Sequence, residues 1–205
     1  MKKHILFLFA ALLPMLASAQ TKVEIDGIWY NLYSGTMVAQ VTYKGSTHYD
    51  YWDEYSGSIT IPNTVTYEDV QYNVTSIGAG AFIDFETLTR VDIPDGLETI
   101  GWGAFMGCIS LGEVKIPANV QTIEARAFEN CRRLHTVKME LGIKEIGAHA
   151  FDNIPALREV FVPHSLKKLG RGAFGTGKRK DGEKITVCVE NEYMVRRMKS
   201  LLFWC

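Results

Sequence analysis

The chain lacks the short signatures that announce a reaction. It has no C-x-x-C or paired-cysteine spacing, no H-E-x-x-H and no G-x-S-x-G. The usual patterns of zinc sites, zinc peptidases and nucleophile-elbow hydrolases are therefore missing. Glycine-rich stretches such as Gly78-Ala-Gly80 carry no phosphate-loop lysine. His48, His135, His149 and His164 have no evident nucleophile beside them. Cys131 and His135 are four apart, but Cys131 is expected to point inward, which argues against a metal. No catalytic residue, metal or cofactor is expected. The net charge of −1 makes no case for nucleic acid as a partner.

Long apolar runs are scarce too. The one that exists, Ile5 to Leu16, follows a basic start at Lys2, Lys3 and His4 and precedes Ala17-Ser18-Ala19. That order is a cleavable signal peptide over 1–19, with cleavage after Ala19 and Gln20 first in the mature chain. The run is too short to span a bilayer comfortably, and no second run of 18 apolar residues follows, so the mature chain is expected to be soluble. The expected destination is the periplasm, the cell surface or the medium.

What the chain does have is repetition. Ala-Phe recurs at Ala81-Phe82, Ala104-Phe105, Ala127-Phe128, Ala150-Phe151 and Ala173-Phe174, each time 23 residues on. Five residues before each Phe stands Ile77, Ile100, Ile123, Ile146 or Leu169. Six after it stands Leu88, Leu111, Leu134 or Leu157, followed by Val91, Val114, Val137 or Val160. Next come Ile93, Ile116, Met139 and Val162, with Pro94, Pro117 and Pro163 closing three of the four strands and Glu140 the other. A fixed period of this size predicts a stacked solenoid. The Leu-to-Ile segment alternates, which predicts one half-buried strand per unit and a parallel sheet on one face. Proline ends the ladder because it has no amide hydrogen. Gly78, Gly101, Gly147 and Gly170 suit a tight bend, although Glu124 in the third unit shows that a positive φ is not compulsory there. Phe82, Phe105, Phe128, Phe151 and Phe174 should form one inner column, with Cys108 and Cys131 in an inner ladder where other units have Phe85 and Ile154. One unit alone cannot bury its apolar side, so copies must stack.

This unit resembles the BspA-like (Treponema-type) leucine-rich repeats of surface proteins in Bacteroidetes, spirochaetes and some protists, over roughly Ile59 to Val189. The resemblance implies a leucine-rich-repeat solenoid with short helical or turn return segments and a binding role. It implies partners such as host matrix or plasma proteins, other bacteria or epithelial cells, and no catalytic residue.

The ends need covers. Two aromatic, β-branched runs, Val23 to Tyr33 and Thr36 to Tyr43, flank Ser34-Gly35 and read as a β-hairpin cap over 20–57, with Lys44 to Gly57 as loop. Trp29, Tyr30 and Tyr33 suit that cover. The same aromatics, with Trp52, support an alternative reading as a glycan-binding module. The solenoid occupies 58–189, opening on an atypical rung at Ser58 to Pro62. It ends on a strand at Ile185 to Val189, displaced by two residues when Val160 is matched to Ile185. Residues 190–205 place Met194, Met198, Leu201 and Leu202 at near-helical spacing, a capping helix. Cys188 and Cys205 are near enough in this scheme for a disulfide, which nothing demands.

Alternation sends Arg90, Asp92, Glu113, Lys115, Thr136, Lys138, Glu159 and Phe161 outward. Arg90 beside Glu113 and Asp92 beside Lys115 fit as ion pairs, whereas Lys115 beside Lys138 is a like pair. Residues 21–100 carry 3 Lys/Arg and 12 Asp/Glu, whereas residues 101–205 carry 17 and 11. Composition drift among solvated faces explains this as well as a binding preference does. An outward aromatic has no such bland explanation. Phe161, with Arg132, Arg133, His135, Lys138, Arg158 and Glu159, is therefore the candidate partner-binding group, for a protein or glycan macromolecule.

Overall fold

The computed structural model describes residues 20–48, 50, 55–175 and 186–189. The expected signal peptide over 1–19 and the capping helix over 190–205 lie outside them. Among the described residues there is no helix, and none therefore that is long and apolar enough to cross a membrane.

The N-terminal cap is a three-stranded meander. β1 (Gln20–Ile25) and β2 (Ile28–Tyr33) are joined by Asp26-Gly27, both left-handed with φ of 50° and 78°. A two-residue turn whose twist suits a hairpin needs positive φ at both central residues, which Asp-Gly supplies. The run from Val23 to Tyr33 is thus folded in two and is not one strand. β3 (Val38–Thr42) returns antiparallel to β2 after Ser34–Met37, a four-residue connection with φ of 52° at Met37. β4 (Gly57–Thr60) is the first rung of the strand face. β5 (Thr64–Tyr67) and β6 (Val70–Ile77) make a second hairpin through Glu68-Asp69, again left-handed at both residues. β3 pairs parallel with β6, so the cap extends a solenoid sheet as well as covering its end.

Regular coils follow, each with two strands. They are β7 (Leu88–Asp92) and β8 (Thr99–Ile100), β9 (Glu113–Ile116) and β10 (Thr122–Ile123), then β11 (Thr136–Met139) and β12 (Glu145–Ile146). β13 (Glu159–Val162) and β14 (Lys168–Leu169) complete them, and β15 (Thr186–Val189) is a last rung. β11, β9, β7 and β4 form one parallel sheet, and β13 pairs parallel with β15. A second sheet runs β1-β2-β3-β6-β8-β10-β12-β14. The solenoid therefore has two sheet walls where the sequence suggested one. The recurring Ile is the inward residue of the second wall, where Ile100, Ile123, Ile146 and Leu169 align in register. Among the regular coils, partners differ by 23 in number from β7 to β11 on one wall and from β6 to β14 on the other. At the last rung Val160 faces Val187, 27 residues on, so the insertion is four residues and not two.

The second-wall strands are short because the chain must turn at once. A Cβ on Gly147 would sit 2.3 Å from Ala125 N, and one on Gly170 would sit 2.2 Å from Ala148 N. These glycines are needed for close approach of the neighbouring coil. The positive φ falls two residues later, at Gly80, Gly103, Arg126, His149 and Gly172.

The return path is built of turns, not helix, and it carries its own inter-coil bonds. The amides of Phe82, Phe105, Phe128 and Phe151 donate to the carbonyls of Ala104, Ala127, Ala150 and Ala173 at 2.6–2.8 Å. Ala-Phe thus recurs for two reasons. Alanine admits the next backbone, and phenylalanine fills the interior. The five rings stack in one column with centroids 5.1, 5.1, 5.1 and 5.5 Å apart. Tyr55 closes the N-terminal end of this column, its ring edge-on to Phe82 at 5.1 Å and to Phe85 at 5.0 Å. Its hydroxyl also accepts the Trp29 amide at 3.0 Å. The segment expected to be plain loop therefore supplies a core lid.

Cys108 and Cys131 are buried free thiols that donate to the carbonyls of Phe82 and Phe105 at 3.0 and 3.1 Å. Burial pushes both thiols up, because the thiolate has no water there. The Cys188–Cys205 pairing falls on Cys205, outside the described residues.

Candidate functional site

The strand face presents three columns, one residue per coil. The inner two are Arg90, Glu113, Thr136 and Glu159, then Asp92, Lys115, Lys138 and Phe161. Along one rim stand Thr89, Gly112, His135 and Arg158, the first three tied by backbone bonds from Gly112 N to Thr89 O and from His135 N to Gly112 O. The strands alternate because Val91, Val114, Val137 and Val160 turn into the core between them. Arg90, Asp92, Glu113, Lys115, Thr136 and Lys138 border a groove of about 160 Å³ floored by Val91 and Val114.

The groove is electrically structured. Arg90 binds Asp92 on its own strand at 2.7 Å and reaches Glu113 on the next at 3.7 Å. The hydrogen bond from Arg90 holds the Asp92 carboxyl below the usual carboxylate range. Asp92 also accepts from the Thr60 hydroxyl at 3.3 Å, so it does not serve Lys115 as the sequence suggested. Lys115 turns instead to Glu140 at 2.6 Å, and Glu140 also accepts the Ala118 amide at 3.1 Å. The hydrogen bond from Lys115, and then its charge, lowers the Glu140 carboxyl, while Lys115 is raised in turn. Glu140 is the residue that replaces proline after the strand. The departure from the repeat was visible in the sequence, but its consequence for Lys115 was not.

The residues singled out from the sequence divide into three places. Lys138, Glu159 and Phe161 stand exposed on the strand face, Phe161 at 60%. His135 and Arg158 occupy the rim, His135 Nδ1 lying 2.9 Å from Thr136 Oγ1 and Arg158 donating to Pro155 O at 2.6 Å. Arg132 and Arg133 lie off the face, on the exposed turn before β11. The groove itself reaches further toward the N-terminus than that group, to Arg90 and Asp92.

The glycan reading loses part of its surface. Tyr30 is a core residue at 1% exposure, and burial pushes its phenol up, with Asp26 adding to it. Trp29 is packed partly against the core. Trp52 lies outside the described residues. Among the described residues, no three His, Cys, Asp or Glu side chains are grouped to hold a metal.

Residues 57–179 match the family model for the BspA type leucine rich repeat region, in six copies. No curated protein matches the chain. The solved leucine-rich repeat protein of T. pallidum is similar at 23% identity and a TM-score of 0.66, over 82% of this chain and 71% of its own. The pneumococcal vaccine antigen PcpA is similar at 19% identity and a TM-score of 0.62, over 85% of this chain. This chain spans 51% of that antigen's length. A leucine-rich repeat protein from Bacteroides capillosus is similar at 23% identity and a TM-score of 0.50, over 84% of this chain and 100% of its own. At these identities the likeness is one of fold. With six copies of the repeat over most of its length, the chain belongs to the BspA-type leucine-rich repeat family.

Proposed function

We propose that the protein is an exported, non-enzymatic module that binds other macromolecules through its strand face, attaching to proteins on host or bacterial surfaces. In this reading it is an array of 23-residue units between the N-terminal meander and a C-terminal helix over 190–205, released by cleavage after Ala19. The observation that carries the proposal is the strand face itself. Charged side chains stand in rows on a backbone fixed by ladders on two walls and by the Ala-Phe bonds between coils. Such a surface is preorganised, so a partner does not spend binding energy ordering it. Solenoids of this kind use continuous faces to take large ligands.

The test is a binding panel of host matrix proteins, bacterial cells and glycans probed with the mature chain. Thr136→Arg puts a bulky cation into the groove, and Arg171→Ala, on the return path, is the control. Capture by the wild type and the control, lost with Thr136→Arg, is the expected result. No capture of any target, or capture indifferent to Thr136→Arg, would overturn the reading. Glycan binding that survives Thr136→Arg but is lost with Trp29→Ala would move the function to the N-terminal sheet.

A further inference from the structure

In the two inner columns, the ion pairs among the described residues leave Lys138 over. Arg90 is satisfied by Asp92 and Glu113, and Lys115 by Glu140. Lys138 lies directly across from Lys115 in the ladder and makes no ion pair among the described residues. A like pair facing across a ladder is unfavourable unless something acidic compensates. Glu140 compensates one member of this pair only. Glu159, the acid one coil on, has its carboxylate 3.4 Å from Cys188 Sγ, on the side away from β11. His135 and Arg158 on the rim add nothing acidic.

One coil beyond Lys138, in the same column, Phe161 is exposed at 60% while Val160 and Val162 beside it are buried. An uncompensated cation next to an outward aromatic is a paired demand, for a negative group and for an apolar one. Resting on the strand-face reading above, we propose that Lys138 and Phe161 together receive an extended acidic segment of a partner protein. Within it, a carboxylate and an apolar side chain stand two residues apart. The spacing is physical. Residues i and i+2 of an extended chain share a face about 6.6–7 Å apart, and β13 stands beside β11 as the next coil without being hydrogen-bonded to it, so flexible side chains can match that spacing. The segment would run across the strands, along the solenoid axis, with the groove by Lys115 and Thr136 continuing its path.

The experiment uses the mature chain and fluorescent peptides with the repeat Glu-Ser-Phe-Ser, read by anisotropy. Lys-Ser-Phe-Ser and Glu-Ser-Ala-Ser peptides are the controls. The Glu/Phe peptide should bind best. Lys138→Glu should weaken it at least about fivefold, as reversing a partly exposed charge contact does. Phe161→Ala should weaken it about tenfold, with no loss against the Glu/Ala peptide. Thermal melts of both variants should match the wild type, since neither side chain is buried. Equal binding of the Lys/Phe peptide, or no effect of Lys138→Glu, overturns the proposal. So does self-association of the chain that Lys138→Glu abolishes, because the site then serves a second copy. If these peptides fail while Thr136→Arg still abolishes capture of a surface target, the acidic-segment chemistry falls and the binding face stands.

Discussion

Phe105 and Phe128 stack face to face with centroids 5.1 Å apart and planes 10° from parallel, each ring fully buried. Both have a ring on either side, whereas Phe174 ends the described column and has one. Phe128→Ala should therefore cost about 3–5 kcal/mol, and Phe174→Ala clearly less. Urea unfolding of the two variants checks the order. Equal costs would mean that the rings act as independent fillers and not as a column.

The column was legible because its period never slips, and a period survives ignorance of the fold. The strand face was legible for the same reason, through the out-in-out alternation of Arg90, Val91 and Asp92 and their counterparts, although Leu88, inward three residues before Val91, does not share it. The second wall was not. Its strands are two residues long, as at Thr99–Ile100, and two residues cannot show a period. The Asp26-Gly27 turn was there to be read, but the unbroken apolar run on both sides of it suggested one strand. Tyr55 could not be assigned because it reaches the core from an aperiodic segment. At the candidate site, which residues face outward followed from alternation. Which charges pair did not, because Lys115 reaches Glu140 in preference to the nearer-seeming Asp92. Side-chain reach of that kind is set by three-dimensional spacing, which one dimension does not contain.

Gly147 tests the close approach of adjacent coils. Its missing side chain leaves room for the Ala125 amide, which an added Cβ would meet at 2.3 Å. Backbone on both sides is held by hydrogen bonds, so little can give. Gly147→Ala should destabilise by about 1–3 kcal/mol, as overpacking does elsewhere. A denaturation midpoint unchanged from the wild type would show that the coils slide apart more readily than the ladders suggest.

Arg126 occupies a left-handed position, φ 60°, that glycine fills in three of the other coils. Its guanidinium meets Glu129 at 2.9 Å. Comparing Arg126→Gly with Arg126→Ala separates the two effects, since both lose the ion pair and only glycine relieves the backbone. The glycine variant should be the more stable by about 1 kcal/mol. An alanine variant as stable as the glycine one would remove strain from the account of this turn.

The Lys115–Glu140 pair sets a pH dependence whose sign can be worked out. The Glu140 carboxyl is lowered by the hydrogen bond from Lys115, so the folded state binds that proton less readily than the unfolded chain does. Stability from this source is present above the ordinary glutamate value, about 4.3, and is lost as pH falls through the lower folded value. Lys115 is raised, so its share is present below the ordinary ammonium value and disappears as pH rises past the folded one. The contribution is therefore a plateau across neutral pH that fails at both ends. Glu140→Gln removes the charge and keeps a carbonyl acceptor for the Ala118 amide. The variant should unfold at lower urea than the wild type on that plateau. The gap should shrink as pH falls below the ordinary glutamate value and close once the wild-type carboxyl, lowered in the fold, has taken up its proton. Because both side chains are exposed, added salt should narrow the gap at neutral pH as well. A gap that persists unchanged into acid would show that the charge Glu140 offers Lys115 is not its source.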